Sequence, residues 1–242
     1  MAPHEFPSHD PGGEYNYTTV FGFQAFAKEY LTGVQVTKEK IDEAEAIWEA
    51  HGEPFNRAIW DHILNKHGGK LPVEIKMVPE GSNIPTRHVL LTIENTDPEC
   101  FWLTSFLETA LLRALWYPTT VATISNSVRC TMKKFLEMTC DDSEEVIPFM
   151  LHDFGARGVS SGESAALGGM AHLVNFLGTD TISGVMAARK YYGADMPGYS
   201  IPAAEHSTIC AWGKDGEIDA YRNMLKQFAK KDKILSVDRD WD

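Results

Sequence analysis

Residues 148–185 read PFMLHDFGARGVSSGESAALGGMAHLVNFLGTDTISGV, and their rhythm decides the fold class. Pro148-Phe-Met-Leu-His152 is a short apolar run of strand length. Ser160-Ser-Gly-Glu163 is a capping box, predicting a helix that runs to Gly178. A second helix is predicted after Thr179, ending at Gly193. Beyond it, Tyr199-Ser-Ile-Pro-Ala-Ala204 reads as a strand. A helix capped by Asp215 would carry Ile218, Tyr221, Leu225 and Phe228 on one face, and Ile234-Leu-Ser-Val237 reads as a last short strand. Strands alternating with helices at this spacing predict parallel βα units and an α/β class. About three strands are countable, whereas eight βα units close a barrel, so an incomplete (β/α) barrel is the expectation for residues 147–242.

Upstream the pattern differs. Residues 1–16, rich in Pro, His, Gly and acidic side chains, have little to bury and read as a mobile tail. Thr18 to Leu31 reads as a short helix. Thr37 can cap the next helix, whose inner face would carry Ile41, Ala44, Ile47 and Trp48 before Gly52 ends it. Val73-Glu-Ile-Lys-Met77 and Val89-Leu-Leu-Thr-Ile93 alternate with period two and flank the turn-rich Pro79–Pro85 loop, as two strands would. Asp97 caps a helix with Pro98 at its first position. That helix is expected to stop before Pro118 and, being apolar nearly all round, to be buried. The polar Cys140-Asp-Asp-Ser-Glu-Glu145 stretch is the best boundary, giving an α+β N-terminal domain over 17–146.

The chain has 242 residues with a net charge of −12, which disfavours nucleic-acid backbones. Cys100, Cys130, Cys140 and Cys210 form no CxxC pair, and the histidines show no zinc-like spacing, so reduced thiols and no metal site are expected. The start carries no signal-peptide pattern, and no apolar run is long enough to span a bilayer; a cytoplasmic protein without membrane contact is the expectation.

Three places can carry chemistry. His152-Asp-Phe-Gly-Ala-Arg-Gly158 follows a predicted strand, where βα folds bind ligands. Phe154 offers a π-face and Arg157 a fork for phosphate or carboxylate, although an ordinary turn with one core Phe and one surface Arg would read the same. The Asp-Phe-Gly triplet also occurs in protein kinases, but no Gly-rich loop or His-Arg-Asp loop accompanies it. Asp180 stands between two predicted helices, where capping is its ordinary use. His206, within Ala203-Ala-Glu-His-Ser-Thr208, follows a predicted strand; a buried, hydrogen-bonded histidine is the plain alternative.

Many strings in order resemble one family. They include Val36-Thr-Lys-Glu-Lys-Ile41, Leu71-Pro-Val-Glu-Ile-Lys76, Glu94-Asn-Thr-Asp-Pro-Glu-Cys100, His152-Asp-Phe-Gly155, Arg157-Gly-Val-Ser-Ser161, Gly178-Thr-Asp-Thr181, Pro197-Gly-Tyr-Ser200 and Pro202-Ala-Ala-Glu-His-Ser-Thr208. From about Thr18 to about Phe228 the chain resembles the nicotinamide phosphoribosyltransferases, type II phosphoribosyltransferases of NAD biosynthesis. The resemblance implies a reaction of nicotinamide with phosphoribosyl pyrophosphate, giving nicotinamide mononucleotide and pyrophosphate. It also implies Mg2+, whose ligands the family carries on later strands outside these 242 residues, ATP hydrolysis coupled through a phosphorylated histidine, and a homodimer. Phe154 would stack on the pyridine ring and Asp180 would accept from the carboxamide NH2. Arg157 and Ser200 would line that pocket or hold ribose-side phosphate, and His206 would accept the phosphoryl group. A carboxylate at Asp180 repels nicotinic acid, which disfavours the alternative of a nicotinate phosphoribosyltransferase.

Departures from the family accompany the match. Its members place a Tyr where this chain has Ala156, so that wall is expected to be more open. Residues 1–16 and the tail Val237-Asp-Arg-Asp-Trp-Asp242 look unrelated to the pattern. The Arg-Pro-Asp-Ser-Gly-type loop that binds phosphoribosyl pyrophosphate does not occur in these 242 residues. A truncated subunit that binds nicotinamide or heterodimerises without turnover is therefore a further reading.

Overall fold

The computed structural model describes residues 16–229 and the backbone of 236–237. The strands are β1 (Tyr17–Thr19), β2 (Val73–Met77), β3 (Asn83–Pro85), β4 (Leu91–Asn95), β5 (His152–Asp153), β6 (Gly178–Thr179), β7 (Ala203–Ala204) and β8 (Ser236–Val237). The helices are α1 (Phe23–Tyr30), α2 (Lys38–His51), α3 (Arg57–His67), α4 (Leu103–Thr139), α5 (Ser143–Val146), α6 (Gly162–His172), α7 (Ile182–Tyr192), α8 (His206–Cys210) and α9 (Glu217–Phe228). The class is mixed α/β, with no closed barrel among the described residues. Cα packing divides the chain into Met1–Gly198 and Tyr199–Asp242; the polar stretch at 140–145 lies inside the first of these units. The tail at 1–16, Asn16 apart, and the segment 238–242 lie outside the described residues.

In the first unit, β2 and β4 pair antiparallel from Val73↔Asn95 to Met77↔Leu91, so β4 begins two residues later than its alternation predicts. The loop between them holds β3, which pairs antiparallel with β1. The expected helix from Thr18 is thus corrected: Thr18-Thr-Val20 is β-branched, its two threonines lie in β1, and α1 starts only after Gly22 turns the chain at φ +103°. Thr37 caps α2 as expected, accepting from Lys40 N–H. Ile41 is buried, but Ile47 and Trp48 are exposed, contrary to the predicted inner face.

The largest correction concerns α4. Asp97 caps only one 3-10 turn, Pro98–Cys100, and α4 then runs through Pro118 to Thr139. Proline forfeits the bond to the Ala114 carbonyl. That notch is covered by Gly22, where an added Cβ would lie 2.2 Å from Pro118 Cγ and 3.2 Å from the Ala114 oxygen. Beside it, Thr119 Oγ1 accepts from Phe21 N–H (3.3 Å) and donates to Phe21 C=O (3.1 Å). Thr123 Oγ1 accepts from Thr19 N–H at 2.9 Å. Strand-edge polar groups are thereby satisfied by helix hydroxyls. Burial follows one stripe, Leu103, Leu107, Leu111, Leu115, Pro118 and Ala122, while Phe106 and Trp116 are exposed. The helix is amphipathic, not buried all round.

The stripe joins two cores. Phe23, Val36, Ile41, Ile63, Leu91 and Cys100 pack with its first half, and Phe21, Ala25, Met170, Ala171, Ala187 and Ala188 with Ala122. Around the second core, β5 and β6 pair in parallel with α6 between them in sequence, as a βα unit requires. Three boundaries move: Pro148 sits in a 3-10 turn and the strand is His152–Asp153; Ser161 caps α6 in place of Ser160; α6 ends at His172. Asn175 N–H bonds His172 C=O, which starts the turn into β6. Helix α7 ends at Gly193 as predicted.

The second unit pairs β7 with β8 in parallel. The predicted strand from Tyr199 is reduced to Ala203–Ala204. Helix α9 forms where expected, with Gly216 at its cap and Asp215 in the 3-10 turn before it; Ala220 is buried, whereas Ile218 and Leu225 are exposed.

Candidate functional site

A parallel strand pair sends its carboxyl ends to one edge. Phe154 follows β5 and Asp180 follows β6, with Asp180 N–H bonded to Asp153 C=O at 2.9 Å. A cavity of about 450 Å3 opens beside them. Tyr117 of α4, His152, Asp153 and Phe154 of the β5 segment, and Ser164, Gly168 and His172 of α6 line it, together with Thr181.

The structure joins Phe154 and Asp180 through a residue that sequence reasoning passed over. The His152 ring stacks on Phe154, with centroids 4.6 Å apart and planes at 30°. Its Nε2 lies 2.9 Å from Asp180 Oδ1. Residues i and i+2 of an extended segment share a face, so the pairing of His152 with Phe154 follows from β5 geometry. Phe154 borders the cavity and remains 61% exposed, leaving ring surface for a flat ligand. The Asp180 side chain meets the imidazole and is not part of the cavity wall.

The cavity's inner wall is tuned by burial. Burial lowers the basicity of His172, while its hydrogen bond to Gly178 C=O (2.9 Å) opposes that shift less strongly. His172 is thus a neutral Nε2–H donor. Burial, then the Asp153 carboxylate, raises the Tyr117 phenol, which donates to Ser164 C=O at 3.2 Å. An added Cβ on Gly168 would come within 2.7 Å of that hydroxyl.

The other expected site residues are placed as follows. Arg157 lies exposed in the 3-10 turn Gly155–Gly158, beside exposed Ala156. Ser200 and His206 belong to the second unit: Ser200 is exposed and donates to Ile201 C=O, and His206 is the exposed first residue of α8. A group of metal-type donors occurs away from this cavity, at His62, His67, Asp97 and Cys100.

Comparisons with known proteins place the chain in a family. A family model described as "Nicotinamide phosphoribosyltransferase, N-terminal domain" matches residues 5–75, and one described as "Nicotinate phosphoribosyltransferase (NAPRTase) family" matches residues 149–240. These spans correct the expectation that residues 5–16 and 237–240 fall outside the family pattern. A nicotinamide phosphoribosyltransferase of Xanthomonas campestris pv. campestris is 56% identical over 95% of this chain and 48% of its own length. Those of Acinetobacter baylyi (36% identical, 75% of this chain, 36% of the relative) and Mycoplasma pneumoniae (35%, 73% and 37%) are also similar. The chain spans about half the length, or less, of the curated relatives it matches. Matched at both ends by these models and by relatives that share one name, the chain belongs to the nicotinamide phosphoribosyltransferase family.

Proposed function

We propose that the protein serves NAD biosynthesis as a nicotinamide phosphoribosyltransferase, a cytoplasmic homodimer that joins nicotinamide to phosphoribosyl pyrophosphate and releases pyrophosphate. The paired strands β5 and β6 are, on this reading, the first βα unit of a type II phosphoribosyltransferase barrel. The observation that carries the proposal is the convergence of Phe154 and Asp180 on His152 at the carboxyl ends of those strands, at the edge of a cavity. No described helix is long and apolar enough to cross a membrane.

The chemistry divides among these side chains. Phe154 stacks on the pyridine ring and sets its plane, which contributes about 0.5–1.5 kcal/mol beyond area burial. Asp180 accepts from the carboxamide NH2; a carboxylate offers about four acceptor directions, enough for an imidazole and an amide together. His152 fixes the Asp180 rotamer through its Nε2 contact. Arg157 and Ser200 hold phosphate or ribose. An imidazole nitrogen of His206 takes the γ-phosphoryl group of ATP, the bond to the β-phosphate oxygen breaks, and ADP leaves. Magnesium, which prefers oxygen ligands in octahedral geometry, does not fit the imidazole- and thiol-bearing group at His62, His67, Asp97 and Cys100.

Binding of nicotinamide and of nicotinic acid, measured calorimetrically, tests the reading alongside formation of nicotinamide mononucleotide. Phe154→Ala is expected to weaken nicotinamide binding roughly two- to tenfold. Asp180→Asn is expected to narrow the preference for amide over acid. An unchanged preference removes Asp180 from the site, and faster turnover of nicotinic acid by the parent protein overturns the choice of substrate. Since no Arg-Pro-Asp-Ser-Gly-type loop is present in the sequence, residues 1–242 alone are expected to form little product; product at an ordinary enzymic rate refutes that.

A further inference from the structure

Helix α3 ends in His62-Ile-Leu-Asn-Lys-His67, and both imidazoles face the turn that precedes α4. Asp97 and Cys100 bracket that turn. One ligand atom from each of the four residues lies within 4.8 Å of all the others. Asp97 is 4% exposed and Cys100 fully buried, and nothing in the proposed nicotinamide chemistry uses either.

The bonding at Asp97 is lopsided. Its Oδ1 caps the turn, accepting from Glu99 N–H at 3.1 Å. Its Oδ2 alone receives His62 Nε2 at 2.8 Å, His67 Nε2 at 2.7 Å and Lys66 Nζ at 3.0 Å. Three positively polarised groups crowd one oxygen while the Cys100 thiol lies alongside. On the far side of the His62 ring, Nδ1 is 3.3 Å from Glu99 Oε2. A carboxylate on the second ring nitrogen is the usual outer support of a metal-binding histidine, because it fixes the tautomer whose Nε2 lone pair faces the ion.

From this arrangement we propose that His62, His67, Asp97 and Cys100 form a binding site for one divalent transition-metal ion, with Zn2+ as the best fit. Two imidazoles, one thiolate and one monodentate carboxylate make a tetrahedral set for zinc and a poor one for magnesium or calcium. Zinc–ligand bonds of about 2.0–2.3 Å imply donor separations of roughly 3.3–3.8 Å. The histidine–aspartate pairs must open by about half an ångström and the widest pair must close by about 1 Å, which side-chain rotation supplies. On binding, the Cys100 thiol releases its proton to solvent, each imidazole gives up the Nε2 proton that faced Asp97, to solvent or by shifting to Nδ1, and the Lys66 ammonium, on a half-exposed side chain, swings off Asp97 into water. The ion would then tie the end of α3 to the start of α4 across the first core.

The test uses the purified protein, stripped with a chelator and titrated with Zn2+ or Co2+. One zinc per chain, a raised Tm, and a thiolate-to-cobalt charge-transfer band with tetrahedral visible bands are expected. His67→Gln alters a partly exposed ring, so the fold persists, and at least a tenfold loss of zinc affinity is expected. Cys100→Ser should remove the charge-transfer band, and Lys66→Met, which deletes the competing cation, should tighten binding. A parent protein without the cobalt charge-transfer band overturns the proposal. So does a His62→Gln/His67→Gln double variant that binds zinc as tightly as the parent.

Discussion

His172 is a buried imidazole with one polar obligation, its bond to Gly178 C=O, and one flat neighbour, Phe176, at 5.5 Å and 16°. Burial holds its folded pKa below the ordinary value near 6.5. The sign follows from proton uptake. Above about pH 6.5 both states are neutral and the full stability is present. As pH falls below that value the unfolded chain takes a proton that the folded chain resists, so stability drops until the folded pKa is passed. His172→Gln keeps an N–H donor and removes the titration. Its urea midpoint is expected to fall less than the parent's between about pH 7.5 and about pH 5; equal slopes would clear His172 of the effect. At this scale the family resemblance pointed to Phe154 and Asp180 as candidates because short motifs carry them. His152 escaped notice because its partner Asp180 stands 28 positions further along the chain and the contact depends on β5–β6 register, which no local pattern encodes. The same holds for His62 and His67 against Asp97: each pair of donors is unremarkable until α3 lies beside the turn before α4.

Helices α6 and α7 meet backbone to backbone. A Cβ on Gly184 would stand 2.8 Å from Gly169 Cα, and one on Gly169 would stand 3.0 Å from Gly184 Cα. Two effects oppose each other in Gly184→Ala. Helix propensity favours alanine by about 0.8–1.0 kcal/mol. Overpacking against backbone, which cannot rotate aside, costs about 1–3 kcal/mol. Because the opposing atoms are backbone, the clash wins, and a net loss of up to roughly 2 kcal/mol in chemical denaturation is expected. Gly162→Ala, in the same pair of helices but with open space around its Cβ, is the control and should cost almost nothing. A neutral Gly184→Ala would mean that the helices separate easily. Periodicity made most elements legible, α2, α7, α9, β2 and β4 among them, since each depends on its own residues. Helix α4 defeated it. Proline is a stop signal in any local reading, and only the docking of Gly22 and the Phe21 backbone against Pro118 and Thr119 permits the helix to continue.

Across the molecule, apolar burial is concentrated in one unit. Both core clusters fall within Met1–Gly198, which α4 traverses over about 55 Å. In Tyr199–Asp242 the buried hydrophobic side chains among the described residues are Ile209 and Ala220, and the strands there are two residues each. A segment of fewer than about 50 residues with so small a core lies below the usual size for independent stability, and an isolated strand pair is marginal in water. The α/β class was readable from the alternation of βα units, because that alternation is a property of sequence order. Which unit would hold the molecule together was not, because Ile218, Leu225 and Phe228 promised an inner face on α9 that the fold leaves largely exposed. Unequal burial sets an order of opening. Under native conditions, amides of α8 and α9 are expected to exchange orders of magnitude faster than those of Leu107–Leu115 in α4, and to lose protection at lower urea. If nicotinamide contacts only the β5–β6 site, its addition should slow exchange around 152–181 and leave that of α8 unchanged. Protection spreading to His206 on nicotinamide alone would show that the two units share the ligand, and equal exchange across both units would refute the order of opening itself.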